Sequence, residues 1–321
     1  MILTTKIFFT SLILSFALFP YFIIIFKKIS KDGQPIRLCG PESHFITKKN
    51  IPTMGGIVIV FSSLFSILTW VNLTPKILLL IFITLFFTLL GFIDDYLKLK
   101  TKNHKGLSAK IKIIIQFITA VITLFTLQKY STDEFTKIYV FRDLMIDIGY
   151  FYIPFAAFVI VGTSNAVNLT DGLDGLAATQ LITAFTFVGL VIYSIRGDIN
   201  IILFCVAFIG AILSFLWFNR HPAKIFMGDV GSLGIGAALG FISVLIKREI
   251  LLVTIGGIFV IETLSVIIQV LYFKCTKGKR IFLMSPIHHH FEKKGWSENT
   301  IVIRFWMFSI ISSILSIVFL L

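Results

Sequence analysis

The stretch LLLIFITLFFTLLGFIDDYLKLK, residues 78–100, decides the reading of this chain. An apolar run of roughly bilayer length ends in adjacent aspartates, Asp94 and Asp95, with Lys98 and Lys100 just beyond. Ionised carboxylates are costly in hydrocarbon and repel one another when adjacent. The surrounding composition has the same character. Of 321 residues, 57% are hydrophobic and 14% charged, and 35 are phenylalanine, whereas a soluble chain carries about 25% charged residues. The expected fold class is an all-α integral membrane protein. In a soluble chain a net charge of +13 would suggest nucleic acid; in a membrane chain it reports topology, and no nucleic-acid partner is expected.

Working outward, runs long enough to cross hydrocarbon fall at 7–26, 52–71, 76–93, 109–128, 151–167, 176–195, 200–218, 232–247, 250–273 and 301–321. They predict about ten transmembrane helices in one polytopic membrane domain, residues 1–321. The run 7–26 lacks a small-residue cleavage site and is followed by Lys27 and Lys28, so it reads as a spanning helix rather than a signal peptide. The eighth run carries GSLGIGAALGF (231–241), a composition suited to close helix packing in lipid. Cys39, Cys205 and Cys275 match no metal spacing and no disulfide framework. No internal repeat is visible.

The loops after odd-numbered runs hold 21 of the 29 Lys and Arg; the other loops and the termini hold eight. By the positive-inside rule the first set is cytoplasmic, and both termini face the other side. The unusual polar residues follow the same partition. Asp94, Asp95, Asp171, Asp174, Asp229 and His288 to His290 all fall in the cytoplasmic set.

Four segments there invite chemistry. In GFIDDYLKLKTKNHKGLSAK (91–110), Asp94 and Lys98 are spaced to pair on a helix, leaving Asp95 for another partner. Paired acids at a membrane surface suit a hard divalent cation, or one ligand plus one base. Lys98, Lys102, Lys105 and Lys110 add positive charge for an anionic substrate; the structural alternative is a solvated helix end. In TSNAVNLTDGLDGLA (163–177), Asn165, Asn168, Asp171 and Asp174 recur every three residues, a spacing expected to put them on one face. No Lys or Arg in that loop neutralises the acids, and such groups at membrane depth are usually functional. In WFNRHPAKIFMGDVGSLGIG (217–236), Asn219, Asp229 and Ser232 are expected in a turn between two spans, where backbone N–H groups at the start of the next helix could take phosphate. In SPIHHHFEKKGW (285–296), consecutive histidines cannot all face one ion on a helix, so a His₃ zinc site is not expected. On an irregular loop one or two of them, His288 and His289 first, could donate to phosphate or a base ring and partly substitute for each other. Glu262 and Gln269, two helical turns apart, read as interhelical hydrogen-bonding groups, although an intramembrane Glu is functional by default.

Acid- and histidine-bearing loops converging on one membrane face with many cations describe a site for a polyanion and a divalent metal. Phosphoryl transfer fits, because that chemistry is mostly positioning and charge neutralisation. A site at the face suggests one soluble and one lipid substrate. A transporter of an anionic solute is the alternative of another class, but transporters place ionisable groups near the midplane and often show repeats.

At GPESHF (40–45), PTMGG (52–56), GFIDDYLK (91–98), KGLSAK (105–110), NAVNLTDGLDGLA (165–177), PAKIFMGDVGSLGIG (222–236) and PIHHHFEKKGW (286–296), the chain resembles the phospho-N-acetylmuramoyl-pentapeptide-transferase family. That family is a branch of the polyprenyl-phosphate N-acetylhexosamine-1-phosphate transferases. It usually has Gly-Thr where this chain has Asn50-Ile51. The resemblance implies transfer of phospho-N-acetylmuramoyl-pentapeptide from UDP-N-acetylmuramoyl-pentapeptide to undecaprenyl phosphate, giving lipid I and UMP. It further implies Mg²⁺, a cytoplasmic-face active-site cleft in the bacterial cytoplasmic (inner) membrane, and a homodimer. A sibling using UDP-N-acetylglucosamine is the near alternative. By the same resemblance, Asp94 and Asp95 are paired catalytic acids, one of which deprotonates the lipid phosphate. Asp229 is a Mg²⁺ ligand or nucleophile. Asn168 and Asp171 line the nucleotide and metal pocket, beside Asn165. Lys48, Lys98, Lys110 and His288 contact or position phosphate, and Asn219, Phe226 and Gly228 belong to the uridine pocket.

Overall fold

The structure, a computed structural model, describes residues 2–29, 48, 51–101, 106–131, 135–140 and 144–320. GPESHF, Cys39, Lys49, Lys102 and Lys105 lie outside the described residues. The apolar runs form helices: α1 (Ile2–Ile29), α2 (Gly56–Trp70), α3 (Pro75–Thr101), α4 (Ala109–Gln128), α5 (Tyr152–Thr170), α6 (Leu176–Ser194), α7 (Ile199–Asn219) and α8 (Gly228–Leu245). They continue as α9 (Leu251–Ile255), α10 (Gly257–Cys275), α11 (Ile287–Lys293) and α12 (Glu298–Leu320). Nine helices among the described residues are long and apolar enough to cross a membrane, so the chain is an all-α multi-pass membrane protein. The second expected span, α2, has 15 residues and is shorter than the others. The ninth expected span is broken at Gly256, where a Gly-Gly pair divides α9 from α10. A small antiparallel hairpin, β1 (Lys137–Tyr139) with β2 (Met145–Asp147), falls in a loop where the sequence signalled nothing.

Helix α8 is the axis of the bundle: all but two of its 18 residues are buried. It packs chiefly against α3 and α5. Its glycines set the spacing. A Cβ on Gly236 would lie 2.8 Å from Ser164 Cα, and one on Gly240 would lie 3.0 Å from Ile160 Cα, both on α5. Gly91 of α3 likewise meets the Asp229 carbonyl so closely that no side chain fits. Close backbone approach of this kind is what small residues provide where lipid gives helices no hydrophobic reason to associate. Because α3 and α5 end where α8 begins, the C-terminal turns of two helices and the first turn of a third meet at one end of the bundle.

The segment 52–56 fastens that end. Phe226 N–H donates to the Pro52 carbonyl (2.9 Å), Gly55 N–H to Phe226 (2.9 Å) and Gly56 N–H to Met227 (3.0 Å). PTMGG and the chain entering α8 thus form one backbone ladder, which fixes where Asp229 starts its helix.

Candidate active site

Asp94 and Asp95 stand on the last turns of α3, 1% and 0% exposed. Asp229, expected in a turn, occupies the first turn of α8 instead, entered through Gly228 at φ +75°. A Cβ on Gly228 would lie 2.5 Å from Asp95 Oδ2, so the residue is glycine for backbone conformation and for space. Oxygens of Asp94, Asp95 and Asp229 lie within 4.8 Å of one another.

Two ammonium groups bind the cluster together. Lys98 Nζ is 2.6 Å from Asp94 Oδ2, the expected helical pair, 3.3 Å from Asp95 Oδ1 and 3.2 Å from Asp229 Oδ2. Lys112, near the start of α4, lies 2.9 Å from Asp229 Oδ2 and 3.6 Å from Asp94 Oδ2. Backbone N–H groups complete the acids: Leu107 donates to Asp94 (2.7 Å) and Val230 to Asp95 (3.2 Å). Asn168 Nδ2 donates to Asp229 Oδ1 and to Ser232 Oγ, both at 2.8 Å. Asn165 stands one turn earlier, donating to Gln116 on α4 (2.7 Å).

Asp171 caps α5 beside this cluster and is half-buried. Burial, then the neighbouring Asp229 and Asp95, push its carboxyl up to about 7, against the Gly228 N–H and the Lys48 charge. Three carboxylates thus meet Lys98 and Lys112 at the centre, with Asp171 beside them. Hard carboxylate oxygens this close to one another suit a divalent cation, so Asp94, Asp95 and Asp229 fit Mg²⁺ as a donor set.

Asp174 corrects the expectation that four residues share one face. The chain turns at Gly172 and Gly175, the latter at φ +80°, and carries Asp174 into a second cluster. There Lys48 Nζ lies 3.0 Å from Asp174 and 2.9 Å from Glu298 at the start of α12, while His221 Nδ1 lies 3.0 Å from Asp174. Asp174, His221 and Glu298 have the spacing of a metal triad, but Lys48 already supplies the cation. Lys48 Nζ also sits 5.8 Å over the Phe226 ring, which joins the two clusters. Asn219 is buried between them, accepting from Gly175 N–H (3.0 Å) and donating to the Ile225 carbonyl (2.8 Å). Its polar atoms hold the loops that frame the site.

The histidine run forms the short helix α11 rather than an irregular loop. His288 points inward, fully buried; His289 Nδ1 is 2.5 Å from Glu292 Oε2, and His290 Nδ1 accepts from Leu283 N–H (3.1 Å). The expected mutual substitution has no geometric basis, because each ring is committed to a different direction. Lys110 is exposed and outside the acid cluster, and Lys112 stands there instead. The signal for Lys112 was helical phase: the buried face of α4 runs through Gln116, Thr119, Ala120 and Thr123, and position 112 continues it.

The pattern described as Glycosyl transferase family 4 matches residues 77–247, and phospho-N-acetylmuramoyl-pentapeptide-transferase signature 1 matches residues 48–60. A phospho-N-acetylmuramoyl-pentapeptide-transferase of Wolbachia sp. subsp. Drosophila simulans (strain wRi) is 71% identical, covering 100% of both chains. The protein of that name from Wolbachia pipientis wMel is 70% identical, again over 100% of both. The one from Rickettsia bellii (strain OSU 85-389) is 50% identical, over 94% of this chain and 88% of its own.

Proposed function

Because the chain belongs to the phospho-N-acetylmuramoyl-pentapeptide-transferase family, we propose that it transfers phospho-N-acetylmuramoyl-pentapeptide from UDP-N-acetylmuramoyl-pentapeptide to undecaprenyl phosphate. The products are lipid I and UMP. An oxygen of the lipid phosphate bonds to the sugar-bearing phosphorus, and the bond from that phosphorus to UMP breaks. The carrying observation is the meeting of Asp94, Asp95 and Asp229 with Lys98 and Lys112 at one end of a membrane bundle.

Each group has work in that reaction. Lys98 and Lys112 neutralise the diphosphate and its transition state, where charge stabilisation is the main catalytic term. One of the paired acids, Asp94 or Asp95, takes the proton of the lipid phosphate as it becomes the nucleophile. Asp229, with Asp171 and the other of the paired acids, would hold Mg²⁺, which supplies Lewis-acid neutralisation of the phosphates. Asn168 keeps the Asp229 carboxylate in one rotamer. Phe226 and Gly228 present the loop beside Lys48 to the nucleotide.

The positive-inside count supports placing this end on the cytoplasmic face of the inner membrane, with both termini opposite. A cleft there would let the soluble donor meet a lipid acceptor. The resemblance also supports a homodimer. Purified protein in detergent or vesicles should release UMP from UDP-N-acetylmuramoyl-pentapeptide only when polyprenyl phosphate and Mg²⁺ are both present. Release without the lipid acceptor, or preference for UDP-N-acetylglucosamine, would overturn the proposal.

A further inference from the structure

We propose that Glu262 is a positioning residue that holds His288 by its Nδ1 edge and leaves Nε2 for the donor's phosphates. This inference rests on the transferase reading of the site. Glu262 lies inside α10 and is 0% exposed; His288 opens α11 and is equally buried. An uncompensated carboxylate inside a membrane helix is expensive. Among the described residues the ion-pair partner of Glu262 is His288, whose Nδ1 lies 3.0 Å from Oε2.

The pair is incomplete as it stands. Both Glu262 oxygens and both His288 nitrogens lack an aligned hydrogen bond among the described residues, although all four atoms are buried. Buried polar atoms in this condition need an explanation. The Nε2 edge supplies one. It faces Gly172, where any Cβ would overlap the ring, one residue from Asp171. Gly172 is not at positive φ, so its lack of a side chain serves the histidine rather than the backbone. The free edge therefore borders the loop that carries a candidate metal ligand, and the other edge meets an acid with no other ion-pair partner among the described residues. Contacts in active sites are often misaligned before substrate arrives and tighten in the complex. An acid at Nδ1 fixes ring rotation and holds one proton there, so the ring meets phosphate as imidazolium, with a second proton on Nε2 to donate to a phosphate oxygen. His289 and His290 cannot take over, because Glu292 and the Leu283 N–H hold them elsewhere.

The test is a double-mutant cycle on UMP release, with E262A, E262Q, H288A and the two double variants, each checked for thermal unfolding in detergent. E262A should lower kcat/KM about 10- to 100-fold, as loss of a group that orients an active-site histidine does. E262Q, which keeps an acceptor oxygen, should recover most of that loss. In the H288A background neither substitution should cost more than about threefold, because the effect travels through the ring. A full further loss in that background, or E262A with wild-type kcat/KM, would overturn the proposal. Should E262A fail to fold, the E262Q cycle decides the matter through its dependence on His288. No UMP release from wild-type protein would overturn the transferase reading, and this inference with it; release with an additive cycle rejects the inference alone.

Discussion

The bundle buries charge at both of its ends, and the two ends handle it differently. Opposite the aspartate cluster, Glu249 is 2% exposed in the link between α8 and α9, and Tyr152 O–H donates to it. Lys247 Nζ donates to the Phe135 carbonyl and lies 3.6 Å over the Tyr152 ring, and Arg248 sits 4.1 Å over Tyr139 of the hairpin. Here one acid and two cations are capped by aromatic rings and neutral partners. At the other end, three acids face two ammoniums, glycines keep side chains away, and the polar atoms converge on a shared centre. Burial of charge is therefore not the mark of the site. Convergence of several acids and ammoniums on one shared centre is.

The largest expected effect tests that contrast directly. D229N and D95N should each lower kcat by about 10³-fold or more, since the first removes a carboxylate that would hold Mg²⁺ and the second a candidate base. Both should still fold and insert, read by detergent-solubilised yield and thermal unfolding. E249A at the far end should do the reverse: activity within about threefold, but a stability loss of roughly 1–3 kcal/mol from the unpaired Tyr152 hydroxyl. Equal kinetic losses at the two ends would erase the distinction.

A second comparison lies within the acidic end. K112A should cost about 10²-fold in kcat, the usual order for one charge-stabilising donor, whereas K110A should cost no more than about threefold. Reversal of that order would place Lys110 in the cluster and Lys112 outside it. Metal dependence sharpens the same point. Chelation should abolish turnover of the wild type, and Mg²⁺ should then raise its unfolding temperature but not that of D229N. An equal thermal shift in both would remove Asp229 from the metal site.

Which parts of this were legible in sequence follows from how far each contact reaches. Asp94 and Lys98 are four residues apart on one helix, so local periodicity sufficed. The placement of α8 against α3 and α5 was foreshadowed by its glycines, whose composition signals close packing without naming the partner. Loop charges grouped the acids on one face because topology alternates and lipid enforces it. What escaped was pairing between distant segments. Lys48 meets Glu298 across 250 residues, and no spacing encodes that. Asp174 left its expected face because two glycines turn the chain, and the direction of such a turn is set by what it packs against. Glu262 read as packing for the same reason, since its partner stands on another helix.

The smallest expected effect belongs to the far end and concerns pH. Burial pulls the Lys247 ammonium down to about 8 from an ordinary 10.5, with Glu249 opposing the shift. A base with a depressed folded-state pKa binds fewer protons folded than unfolded between those values. Stability therefore rises with pH across that window, as the cost of burying the charged form is relieved. Below about pH 8 the cost is fully present, and above about 10.5 no further gain accrues. Thermal unfolding between pH 7.5 and about 9.5 should show this rise in the wild type, and K247M, with no charge to lose, should flatten it. The acidic end supplies no comparable slope there, because the Asp171 carboxyl titrates near 7, at the foot of the range. A slope unchanged in K247M would mean that the ammonium is solvated after all, and that the aromatic cap of the far end does not exclude water from it.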